Sequence, residues 1–222
     1  MNRRRIDWPR ALRWLGLAVL LAHAEPASAG LRVFVAAGAA LPDASFADFR
    51  WDTGPQGLVG GGLLLDGRLG GLGLRAERHG GSQGTGLPGA PAALALSLSN
   101  VELLASRRLL SLPLAGLECW GQAHAGWLRL AYSPDALTVD VGEPLQLRFD
   151  TVNELCGGGG LLLRRPLAAG LGLGLDLDAL VFALDSARRV GDAVLLERQR
   201  RTNWRFGLRL DWTPGTATPG LR

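Results

Sequence analysis

"RFGLRLDW", residues 205–212, alternates strictly near the end of the chain. Phe206, Leu208, Leu210 and Trp212 share one parity; Arg205, Gly207, Arg209 and Asp211 share the other. Successive side chains of a strand point to opposite faces, so this strand has one apolar face and one polar face. In a soluble sandwich the apolar face is the core. In a barrel that spans a bilayer it meets lipid, and the polar face lines the lumen. The rest of the sequence decides between these two geometries.

The same alternation recurs upstream. In "AGLGLGLDLDALVFAL" (169–184), Leu171, Leu173, Leu175 and Leu177 alternate with Gly172, Gly174, Asp176 and Asp178. In "LGLRAERH" (72–79), Arg75, Glu77 and His79 share a face. Glu102, Ser106 and Arg108 share another, as do Glu118, Gln122 and His124. The pattern predicts eight strands at about 31–40, 57–66, 68–79, 94–109, 115–132, 153–165, 168–184 and 203–212. Their connections alternate in length. Short ones fall at Asp66-Gly67, near Leu112-Pro113-Leu114, and at Pro166-Leu167; long ones fall at about 41–56, 80–93, 133–152 and 185–202. An up-and-down membrane barrel has short periplasmic turns and long external loops, whereas a Greek-key sandwich has no reason to alternate so regularly.

The polar parity holds Arg75, Glu77, Glu102, Arg108, Glu118, Arg164, Asp176, Asp178, Arg205, Arg209 and Asp211. Charges of both signs on one face are either solvated or paired in a narrow lumen. Trp204 and Trp212 lie on the apolar parity, eight residues apart. At ~3.3 Å per residue and a tilt of ~40° they differ by roughly 20 Å in height, close to the ~25 Å between the aromatic girdles of a membrane barrel. The tryptophans therefore favour the membrane geometry.

Composition and processing signals agree. The 222 residues suffice for one domain. All 24 basic residues are arginine. Five of them lie in residues 1–29, and the remaining 19 face 18 acids, so the basic pI of 10.3 does not point to nucleic acid. "MNRRRIDWPRALR", then "WLGLAVLLAHA", then "ASA" read as the basic, apolar and cleavage regions of a secretory signal ending at Ala29. The domain reading is thus 1–29 as a cleaved signal, 30–212 as the barrel and 213–222 as a disordered Pro/Gly/Thr-rich tail.

In these features the sequence resembles the eight-stranded outer-membrane β-barrels of the OmpA/OmpX type, over about Leu31 to Trp212. Such barrels carry an assembly signal of the form polar-x-Gly-x-x-apolar-x-aromatic in the last strand. Arg205, Gly207, Leu210 and Trp212 fill its four places. Two departures stand out: the usual final residue is Phe, and the usual signal ends the chain, whereas "TPGTATPGLR" follows here. The Gly/Ala-rich stretch 113–132 also looks like strands of small outer-membrane barrels, with the Gly157–Gly160 run expected to face it closely. The resemblance implies a bacterial outer-membrane location, the barrel-assembly machinery and the lipid bilayer as partners, and a monomer.

The chemistry-bearing residues give little else. Glu77, His79 and Ser82 suggest a hydrolase set, but a flexible Gly-Gly separates His79 from Ser82, so a rim histidine is the better reading. No His/Cys/acid spacing matches a metal site, and the Gly-rich runs lack the lysine and helix of a phosphate loop. No cofactor is expected. Arg188-Arg189 and Glu197–Arg201 fall in or near the last long loop, either as solvated charge or as contacts to lipopolysaccharide phosphates. Cys119 and Cys156 sit on one hairpin with its turn near Gly142-Glu143-Pro144. That places Cys156 opposite about Leu130 and Cys119 opposite about Leu167, some eleven positions or ~35 Å apart.

The sequence therefore predicts a single eight-stranded antiparallel membrane barrel. Its lumen is closed by ion pairs, and its role is non-enzymatic and exercised through the external loops. An exported soluble barrel or sandwich that binds a small apolar ligand and a lipid-modifying barrel enzyme are the alternatives.

Overall fold

A computed structural model describes residues 30–67, 70–87, 89–112, 116–140, 144–190 and 193–214. The expected signal, residues 1–29, and the expected tail from residue 215 onward lie outside the described residues. The strands are β1 (Gly30–Leu41), β2 (Gln56–Asp66), β3 (Gly70–Gly84), β4 (Ala93–Leu112), β5 (Leu117–Ser133), β6 (Ala136–Asp140), β7 (Pro144–Arg148), β8 (Val152–Pro166), β9 (Leu171–Val190) and β10 (Ala193–Trp212). Eight of them close a barrel in the order β1-β10-β9-β8-β5-β4-β3-β2, and β6 and β7 form a separate hairpin. Every barrel pair is antiparallel.

The ladder shows how the strands tilt. A path from Ala40 runs through Arg205, Asp178, Gly160, Gln122, Ser106, Gly71 and Asp66, and returns to β1 at Gly30. The path comes back ten residues from its start on the same strand (40 against 30). A closed eight-stranded sheet with that stagger must tilt by roughly 35–45°.

Alternation decides what each side chain meets. On β1, Arg32 and Phe34 are buried while Leu31, Val33 and Val35 are exposed. Val59, Leu74, Val101, Trp127, Leu155, Leu175, Leu208 and Leu210 continue the exposed apolar wall around the barrel. Such a wall is untenable for a soluble monomer. A closed sheet pairs its backbone groups and has no open edge, which is what a bilayer requires.

The described strands depart from the sequence reading at the long-loop end. The loop expected at 185–202 is mostly strand, because β9 and β10 continue as one ribbon to Val190 and from Ala193. The alternation there is weak because charge crowds both faces, so pairing with the partner strand decides what parity could not. The loop expected at 133–152 carries the β6–β7 hairpin, held by Leu137 and Val139 against Leu94. β3 extends to Gly84, and β4 runs to Leu112 past a register shift between Arg108 and Leu110.

The cysteine register is also corrected. Cys119 faces Leu163 and Cys156 faces Gly126, so seven positions separate them rather than eleven. The hairpin β6–β7 moves the effective turn away from its expected centre. Their parity differs too: Cys156 is buried toward the lumen, and Cys119 lies on the side that carries Trp127. Roughly 23 Å of strand still exceeds the ~7 Å Cα limit of a disulfide. Thiol labelling of the denatured, non-reduced protein should find two free thiols. A protected pair would refute this register.

Candidate functional site: the filled lumen and its lid

Two charged layers and one apolar layer fill the lumen. Nearest the short-turn end, Arg32 pairs with Asp66 at 2.6 Å. Asp211 accepts from Arg209 at 2.6 Å and from Arg164 at 2.8 Å, and Arg164 reaches Glu118 at 3.2 Å. Two guanidinium groups lie over aromatic rings, Arg209 at 3.5 Å from the Phe34 centroid and Arg32 at 5.1 Å from that of Trp120. Arg108 stands at the mouth rather than inside. Its side chain is 39% exposed and 3.7 Å from Glu118, because the bulge after it turns the strand.

The middle layer is denser. Arg75 meets Glu102 at 2.7 Å and Asp178 at 2.8 Å. Arg205 meets Glu77 at 2.6 Å, Asp178 at 2.9 Å and Glu102 at 3.3 Å. His124 presents one ring nitrogen to Asp178 at 2.9 Å and the other to Glu102 at 3.2 Å. These six residues come from β3, β4, β5, β9 and β10, so the network ties most of the wall together. Asp176 shares their parity, but its Oδ1 has no hydrogen-bond partner among the described residues. The glycine run on β8 makes room for this layer. A Cβ on Gly158 would lie 2.9 Å from His124 Cε1, and one on Gly160 would lie 2.7 Å from Asp178 Cα.

Toward the long-loop end the lumen turns apolar. Leu96, Leu98, Leu128, Leu130, Leu180 and Phe182 point inward and are buried. The segment after β1 closes over them. Its short 3-10 helix, Ala44–Phe49, drops Phe46 into the cluster, where it stacks on Trp51 at 4.2 Å and lies 6.3 Å from Phe182. Asp43 caps this helix by accepting from Ser45 N at 3.0 Å, and it also accepts from Thr202 N at 2.9 Å. Burial works to raise the Asp43 carboxyl, but bonds from Ser45 and Thr202, with Arg201 nearby, hold it below the usual carboxylate range. Arg201 lies over the rings of Phe46 and Phe49 and bonds to Ser45. Ser82 O and Gln83 on β3 fasten the other side, bonding Asp52 N at 2.8 Å and Phe49 O at 3.0 Å.

The residues singled out as a hydrolase set do not assemble. Glu77 is held by Arg205, His79 bonds Gln56 at 2.9 Å, and Ser82 lies on the opposite parity of β3 from His79. Arg32, Asp66, Gln56 and Phe34 belong to the lumen, although sequence reasoning passed over them. Arg32 and Phe34 could have been found by the β1 alternation; Asp66 was absorbed into a turn.

A closed up-and-down sheet of eight strands with an apolar outer wall and a filled lumen defines a small outer-membrane β-barrel. No protein-family model matches the chain, and no curated protein matches it in sequence. In fold it is similar to Neisserial surface protein A, with a TM-score of 0.52 at 11% identity, covering 82% of this chain and 96% of that one. Weaker likenesses include Ail of Yersinia pestis, solved with the heparin analogue sucrose octasulfate (TM-score 0.45, 9% identity, 83% of this chain and 100% of that one). Another is the outer membrane protease OmpT of Escherichia coli (TM-score 0.39, 9% identity, 85% of this chain and 99% of that one). At these identities the shared property is the fold.

Glu102 is shared by the buried Arg75 and Arg205. Neutralising it breaks one buried ion pair of each, while Asp178 and Glu77 remain. Breaking a buried pair typically costs about 3–5 kcal/mol. Glu102→Gln should lower the stability of the refolded barrel by that order in urea titrations. Arg108→Ala should change it by less than about 1 kcal/mol, as an exposed pair would. Equal effects from the two substitutions would contradict the layered lumen.

Proposed function

We propose that the chain is a non-enzymatic, monomeric outer-membrane protein that works through its external face, in a structural or surface-interaction role. One observation carries this reading: the lumen is occupied from Arg32 at the short-turn end to Phe46 at the other. Solute transport would need that column of side chains to move. The apolar-ligand alternative is less well supported, because Phe46 and Phe182 already occupy the apolar part of the lumen. The enzyme alternative is less well supported because Glu77 and His79 are committed to Arg205 and Gln56.

The β9–β10 ribbon extends past the barrel rim and supports an interaction role. Of its arginines, Arg198 is bonded to Glu154 and Asp185, and Arg201 packs on the lid. The side chains of Arg188 and Arg189 lie outside the described residues.

Reconstituted in a planar bilayer, the protein should give no large, steady single-channel current. Such a current would overturn the closed-lumen reading.

Assembly is assigned to β10. Its final stretch closes the barrel against β1, from Leu41 opposite Trp204 to Val33 opposite Trp212. Leu210 and Trp212 face outward, while Arg205 and Arg209 are buried. Trp212→Asp, or Leu210→Arg at a lipid-side cost of up to ~2–4 kcal/mol, should reduce the amount of folded, membrane-inserted protein. Deleting residues 213–222 should leave that amount nearly unchanged. The opposite pattern would remove β10 as the assembly signal.

A further inference from the structure

Arg78, Ser99, Arg129 and Asn153 stand side by side in one ladder row across β3, β4, β5 and β8. All four have the outward parity, and Arg78, Arg129 and Asn153 are exposed. The neighbouring row toward the short-turn end is Ala76, Val101, Trp127 and Leu155. There Val101 is 56% and Trp127 67% exposed. The outer wall thus changes from apolar to cationic within one row.

Strand tilt places this change at the edge of the bilayer. Each strand-to-strand step of ~4.8 Å at a tilt of ~40° changes height by roughly 3 Å. Along β3, β4 and β5 the row rises toward the long-loop end. Arg78 therefore stands about level with Trp127, and Arg129 roughly 6 Å above it. Trp rings mark the headgroup level of a membrane.

Neither arginine has an ion-pair partner among the described residues. This sets them apart from Arg198, which is engaged by Glu154 and Asp185, and from the paired arginines of the lumen. Their Cα atoms are two strands apart, about 10 Å. Two flexible forked cations at that spacing, with the Ser99 hydroxyl between them, match phosphate better than any other membrane group.

We propose that Arg78 and Arg129, with Ser99, form a binding site on the outer wall for a phosphate-bearing glycolipid of the outer leaflet. A sugar headgroup carrying two phosphates spans the two guanidinium groups. Its acyl chains run down the wall over Val101, Leu103 and Trp127. The position at the long-loop end selects the outer leaflet. The site rests on the lipid-facing wall and not on the role proposed above, so the conductance test and this one fail separately.

The test uses refolded protein in detergent and diphosphoryl lipid A as the probe, with bound lipid counted by native mass spectrometry. A heat-dependent gel shift verifies folding. Arg78→Gln with Arg129→Gln should weaken lipid A binding about tenfold, equivalent to the loss of roughly one good charge-assisted contact. Wild-type protein should bind fully dephosphorylated lipid A as weakly as the double variant binds lipid A. Inorganic phosphate at the same concentration should not compete, and Arg200→Gln should bind like wild type. If the Gln pair fails to fold, Arg78→Lys with Arg129→Lys keeps both charges and carries the test through a loss of about threefold, since only the fork is lost. The site is refuted by undiminished binding in the folded double variant. It is equally refuted by equal binding of the dephosphorylated lipid, competition by free phosphate, or an equal loss from Arg200→Gln.

Discussion

Arg75 and Arg205 reach the same two carboxylates, Glu102 and Asp178, from opposite sides of the barrel's closing seam. Both arginines are 2% exposed. A charge that deep is tolerable only when it is paired and hydrogen-bonded, so all the contributing strands must arrive with the correct register. A slip of one residue on β3 would send Arg75 into lipid and Leu74 into the charged layer. The network thus does more than fill space, because it makes every alternative register of the closed sheet costly.

The lumen changes character along its axis for a related reason. In its middle the charges are buried, and ion pairs among Arg75, Arg205, Glu77, Glu102 and Asp178 satisfy them. Its long-loop end is closed by a segment of the chain itself. An apolar patch beneath a lid lets Phe46 anchor that segment through burial and ring stacking. Asp43 and Arg201 then fix its edge to β10. The carboxyl of Asp43 is held low by those bonds, so its contribution is present above the ordinary carboxylate range and is lost as acid protonates it.

Parity carried most of the fold in the sequence. Gly-Leu and Asp-Leu alternation in β9 and Arg-Leu alternation in β10 mark the lumen side correctly because a bilayer enforces the opposite face. The signal failed where that enforcement stops. In residues 185–202 charges stand on both parities, so the ribbon is invisible to an alternation test. The apolar inner positions Leu96, Leu98, Leu128 and Leu130 break the inward-polar rule because a lid, rather than water, covers them. The cysteine register was off by four positions because turn position cannot be read through an inserted hairpin.

The outer wall brings these constraints together. Its outward charges lie near the two ends of the strands: Arg107 and Arg165 toward the short-turn end, Arg78 and Arg129 toward the other. Trp212 and Trp204 mark the same two levels on β10, roughly 20 Å apart by rise and tilt. An inward arginine is held by carboxylates because the lumen offers no other anion. An outward arginine at the apolar edge has no carboxylate on the wall beside it, and the anions within its reach are lipid phosphates. Inner and outer arginines therefore obey one rule, pairing with the nearest anion. Within the height of the apolar wall the strand's parity decides whether protein or membrane provides it; above the rim the outward Arg198 finds Glu154 and Asp185 instead.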